Sequence, residues 1–95
     1  MKLREIKKEI QPILNGHDVK KAEFFGSLAR GNATQDSDID ILIEFNNKKN
    51  KTLLDLASLK NDLETKLAKE VDVVTYDSLN PLLEEQILKE KEPIL

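Results

Sequence analysis

The chain has no cysteine and no tryptophan, and it holds only three glycines, three prolines and one histidine in 95 residues. Without cysteine there is no disulfide framework and no thiolate zinc site, an absence that fits a cytoplasmic setting. No apolar run approaches the roughly 20 residues that a membrane-spanning helix needs. Met1-Lys2-Leu3-Arg4-Glu5-Ile6 lacks the apolar stretch of a secretory leader. Excess positive charge is also missing: 15 basic against 18 acidic residues leave a net charge of −3. Binding to a phosphate backbone usually needs a basic face, so direct nucleic-acid binding is not expected. A single nucleotide, whose charge a metal can neutralise, stays open.

What is present is one small domain over 1–95, with 39% apolar residues for a modest core and 35% charged residues for an ionised surface. Leu3, Ile6, Ile10, Ile13 and Leu14 recur at helical spacing and predict a helix over about 2–14, with Pro12 near its end and Asn15-Gly16 as the stop. Val19 to Phe25 reads as a short buried strand. Gly26 breaks it, and Ser27 is placed to cap a short helix through Arg30. Gly31 to Ser37 is polar and turn-rich, hence a loop. Ile39 to Phe45 is the clearest strand, and 46–51 a solvated loop. Thr52 and Asp55 resemble a capping box before a long leucine-marked helix to about Lys69. Val71 to Tyr76 reads as a further strand, with Val71 and Val73 facing the core. Asn80-Pro81 opens a last helix whose apolar side is Leu82, Leu83, Ile87 and Leu88, and which ends at Lys89–Pro93. The expected fold class is α/β: helices packed on a small central sheet of three or more strands, mixed in direction.

The chemistry concentrates in Gly26-Ser27-Leu28-Ala29-Arg30-Gly31 and Ser37-Asp38-Ile39-Asp40. Residues two apart on a strand share a face, so Asp38 and Asp40 stand side by side while Ile39 turns inward. Adjacent carboxylates repel unless a cation lies between them, and magnesium is the hard, oxygen-seeking cation usual beside phosphates. Gly26 lets the backbone approach a phosphate closely, and Ser27 can offer it a hydroxyl and an N–H. Arg30 could reach the same phosphates; its other reading is a pair with a surface acid. Asp72, on the later strand, would converge with Asp38 and Asp40 if that strand is the neighbour. It would then help hold two metal ions or take an acceptor's proton. Its other reading is a loop cap or a partner for a lysine such as Lys69.

Gly26-Ser27 followed by Asp38-Ile39-Asp40 resembles the signature of the DNA polymerase β-type nucleotidyltransferases. The form Gly-Ser-Leu-Ala-Arg-Gly, then Ser-Asp-Ile-Asp, in so short a chain is similar to their minimal nucleotidyltransferase group. The resemblance implies a nucleotidyltransferase-type core. It implies that Asp38 and Asp40 bind magnesium, with Asp72 in Val-Asp-Val-Val-Thr completing the triad as a catalytic and metal-binding residue. ATP would be the substrate, and Gly26, Ser27 and Arg30 its binding residues. It further implies a HEPN-type toxin, encoded nearby, as partner. The chain would act as its antitoxin by transferring AMP to it. The alternative is a binding module that neutralises the toxin by occlusion alone. No acceptor domain is expected after Asp72, so the acceptor is expected to be carried on another protein. Homo-oligomerisation is left open.

Overall fold

The computed structural model describes residues 3–31 and 38–95, apart from the side chain of Lys48. Ser37 and the rest of the predicted loop from 32 to 37 therefore lie outside the described residues. The elements are α1 (Leu3–Gly16), β1 (Val19–Phe25), α2 (Gly26–Arg30), β2 (Ile39–Phe45), α3 (Leu53–Leu67), β3 (Val71–Thr75), α4 (Pro81–Glu90) and β4 (Glu92–Pro93), with single 3-10 turns at Lys48–Asn50 and Tyr76–Ser78.

The strands form one mixed sheet in the order β3-β2-β1-β4. β1 pairs antiparallel with β2 and with β4, while β2 and β3 run parallel. The expected α/β class with a mixed sheet is what the chain adopts. Alternation along the strands puts Ala22, Phe24, Ile39, Ile41, Ile43, Val71 and Val73 into one hydrophobic cluster with Ile6, Ile10 and Leu14 of α1 and Leu59 and Leu63 of α3. Five of these residues lie on helices at spacings of four, so each helix lays one stripe on the sheet. Val71 and Val73 face this core as predicted.

The helix ends follow from local chemistry. α1 runs past Pro12 to Gly16, farther than predicted, because fully buried Leu14 anchors its last turn. At α3 the capping box is complete: Leu54 N donates to Thr52 Oγ1 at 3.2 Å and Thr52 N to Asp55 Oδ2 at 2.8 Å. The helix stops at Leu67, short of Lys69, since Ala68 takes the left-handed conformation. Asn80 caps α4, accepting from Leu82 N at 2.9 Å, with Pro81 in its first turn.

Three local readings are corrected. Ser27 is not a cap: Phe25 is the N-cap residue of α2 and no side chain caps it. β3 ends at Thr75, and Tyr76 begins a 3-10 turn. The last helix ends at Glu90, and Glu92–Pro93 instead forms edge strand β4 against β1. Proline suits an edge strand, where its missing N–H breaks no ladder. Ile94, 4% exposed, then anchors the chain end, its N–H donating to Ala22 O at 2.8 Å.

α4 departs from its predicted packing. None of its residues is buried, and Leu82 and Leu83 are 85% and 54% exposed. Leu63→Ala is therefore expected to cost about 2–5 kcal/mol in urea unfolding, and Leu82→Ala to stay within about 0.5 kcal/mol of the wild type.

Candidate active site

β2 and β3 begin together. Ile39 pairs with Val71 and Asp40 with Asp72 across the parallel ladder, and Ile39 N donates to Glu70 O at 3.1 Å. Asp40 and Asp72 therefore stand as direct neighbours on the face turned away from α1 and α3. Asp38 precedes β2, two residues before Asp40 and exposed at the mouth of the strand. The neighbour relation on which the role of Asp72 depended is present.

On the other side of Asp40 lies β1, where Phe25 pairs with Asp40. The chain then turns at Gly26 (φ 70°) into α2. A Cβ at Gly26 would collide with the Asp40 carboxylate. Gly26 is thus required twice, for its left-handed backbone and for room beside the carboxylate. Ser27 follows at the start of α2, half-buried beside Asp40's strand.

The electrostatics mark Asp40 out. Its carboxyl titrates above the ordinary value of 3.8, first because it is partly buried, then because the Asp72 and Asp38 charges face it; the Arg30 guanidinium offsets part of this. Among the described residues no three acidic or imidazole side chains are closed into a ready-made metal cage. The aspartates form an open, mutually repelling set of hard oxygen donors. That donor chemistry, and the charge accumulated at Asp40, fit a divalent oxygen-seeking cation.

Arg30 is placed by a contact the sequence does not display. Its Nη1 lies 3.0 Å from Glu90 Oε2, so the last turn of α4 holds it. The surface-acid pairing considered for Arg30 is present, and its field also reaches Asp40. Beside it, Glu23, only 2% exposed, is held by Lys91 Nζ at 3.1 Å and Lys21 Nζ at 3.5 Å. Neither Glu90 nor Lys91 carries a local motif; only the fold brings Glu90 to Arg30 and Lys91 to Glu23.

Over residues 1–94 the chain matches the nucleotidyltransferase domain family. It belongs to that family. Its activity is accordingly nucleotidyl transfer. A Methanocaldococcus jannaschii protein provisionally named a protein adenylyltransferase is 53% identical over 95 residues, spanning 100% of both chains. A solved structure described as a minimal nucleotidyltransferase, also provisionally, superimposes with a TM-score of 0.81 at 41% identity, covering 96% of this chain and 91% of that one. The fold also recurs in a chain from a solved complex of a tri-AMPylated Shewanella oneidensis HEPN toxin with an MNT antitoxin. There the TM-score is 0.75 and the identity 19%, over 97% of this chain and 71% of that one.

Two outcomes test the site's physics. Because the folded chain holds the Asp40 proton more tightly than the unfolded chain, ionising Asp40 removes stability. That contribution is whole below pH 3.8 and is lost as pH rises through the raised value. Asp40→Asn is therefore expected to melt a few degrees higher than wild type at pH 7 without added metal, and at the same temperature below pH 3.8. Thermal melts by circular dichroism across pH decide this. Gly26→Ala is expected to lose about 1–3 kcal/mol from the left-handed backbone, with a further loss from the clash with Asp40, read in urea unfolding.

Proposed function

We propose that the chain is a magnesium-dependent protein adenylyltransferase that acts as an antitoxin by transferring AMP from ATP to a HEPN-type toxin. One observation carries the reading: Asp40 and Asp72 are paired across adjacent parallel strands, and on the other side of Asp40 its carboxylate packs against the Gly26 turn, where no side chain fits. The likeness to a protein provisionally named an adenylyltransferase, and to the fold of a chain in a complex with an AMPylated toxin, supports the choice of AMP and of a protein acceptor.

In this reading Asp38, Asp40 and Asp72 hold the metal, two ions in all. The metal when bound neutralises the triphosphate and stabilises charge on the transferring phosphoryl group. Gly26 admits the phosphates close to the backbone, and Ser27 offers its N–H and hydroxyl to their oxygens. Arg30 reaches them by exchanging Glu90 for a phosphate oxygen. Exposed Asp72 takes the acceptor's proton. The acceptor oxygen bonds to the α-phosphorus, the bond from that phosphorus to the bridging oxygen breaks, and pyrophosphate leaves.

The exposed leucines of α4 favour a second reading, in which the chain silences its partner by covering it. Incubation with α-labelled ATP, magnesium and the product of the neighbouring gene separates the two. Label on that protein is expected with wild type, falling by about 10²–10³-fold or more in Asp38→Ala/Asp40→Ala. No transfer by wild type, with neutralisation intact in the double variant, would sink the enzymatic reading. Transfer that survives in the variant would displace the site.

A further inference from the structure

A polar recess of about 320 Å³ opens where β2 and β3 begin, lined by Asp38, Lys60, Glu64, Glu70, Val71 and Asp72. It lies on one side of Asp40 only. In the sheet order β3-β2-β1-β4, Gly26 and Ser27 follow β1, so the phosphate seat is on the β1 side. Asp72 is on the β3 side, and β3 is an edge strand with no further strand beyond it among the described residues. A nucleotide seated against Gly26 leaves the Asp72 side for the second substrate.

The charged groups of the recess are not equivalent. Asp38 and Asp72 belong to the reacting centre. Glu64 is occupied, its Oε2 accepting from Val71 N at 3.1 Å, which fixes the start of β3. Lys60 and Glu70 remain. Both are exposed, and the side chain of neither makes a hydrogen bond or ion pair with another described residue. One free cation and one free anion thus line the same recess as Asp72, at the edge where β3 begins.

We propose that this recess seats the acceptor, and that Lys60 and Glu70 select a polypeptide segment in which the reacting hydroxyl is flanked by charged residues of both signs, an acid facing Lys60 and a base facing Glu70. The inference rests on the transferase reading above and adds the substrate feature that the enzyme reads. A small apolar acceptor gains nothing from such walls. A segment of a protein surface supplies complementary charge and displaces only loosely held water. Charges at such a rim steer encounter and set partner choice more than they add raw affinity.

Steady-state transfer from labelled ATP to the HEPN-type partner protein tests this, with KM measured separately for ATP and for the partner. Lys60→Glu and Glu70→Lys are each expected to raise the KM for the partner about tenfold, since each places a like charge opposite the segment. KM for ATP should be unchanged, and Lys60→Gln should give a smaller rise. None of the three variants touches the core, so matching thermal melts confirm the fold. An unchanged KM for the partner overturns the proposal, as does a rise in the KM for ATP, which would assign the recess to the nucleotide. Absence of transfer by the wild type overturns the transferase reading itself, and this inference with it. Transfer by wild type with indifferent variants overturns this inference and leaves the transferase reading standing.

Discussion

The structure depends on the parallel pairing of β2 with β3. Asp40 and Asp72 repel, and nothing about the two carboxylates alone would bring them together. What holds them is the row beside them: Ile39 and Val71, each 1% exposed, pair directly across the ladder and pack on the helices. Apolar burial on one face of the sheet thus enforces charge crowding on the other. Because side chains alternate, a slip of one residue would turn Asp40 into the core and Ile39 out to water. The best-buried strand, β2, can therefore carry Asp40 without losing register. The raised titration of Asp40 follows first from its own partial burial and then from that crowding.

The same logic extends to the chain end. α4 buries none of its own residues, yet its last turn reaches Arg30 through Glu90, and Lys91 reaches the buried Glu23 carboxylate. Lys7 pairs with Glu92 at 3.1 Å, and Gln11 donates to Ile94 O at 2.9 Å, so α1 also grips the tail. The C-terminal segment is held by its polar groups and by Ile94 rather than by a helix face. An apolar surface stays exposed on α4 while Arg30 remains tied to the body of the protein.

Most elements were legible because their causes are local. The isoleucine spacing of α1, the alternation of β2, the Thr52–Asp55 box and the Asn80-Pro81 start each lie within a few residues. What escaped depends on distant partners. β4 holds only two residues, and Glu92–Pro93 looks like a helix end until β1 offers it an edge. Ser27 has the chemistry of a cap but already lies inside α2, and Phe25, two residues earlier, takes the extended cap position. The leucines of α4 have helical spacing, but spacing gives a face its character without saying whether the chain covers it.

For the candidate site, the residue types and their separations along the chain pointed to Asp38, Asp40 and the Gly26-Ser27 turn. Alternation along one strand and the needs of one turn are short-range properties. The placement of Asp72 opposite Asp40, the hold of Glu90 on Arg30 and the recess walled by Lys60 and Glu70 join residues far apart in the chain. They exist only because the sheet order and register bring them together. Sequence alone determined which chemistry the chain could carry, through side chains and local backbone. Tertiary structure decided which of those groups meet, because the register is set by the burial of Ile39 and Val71, residues that take no part in that chemistry.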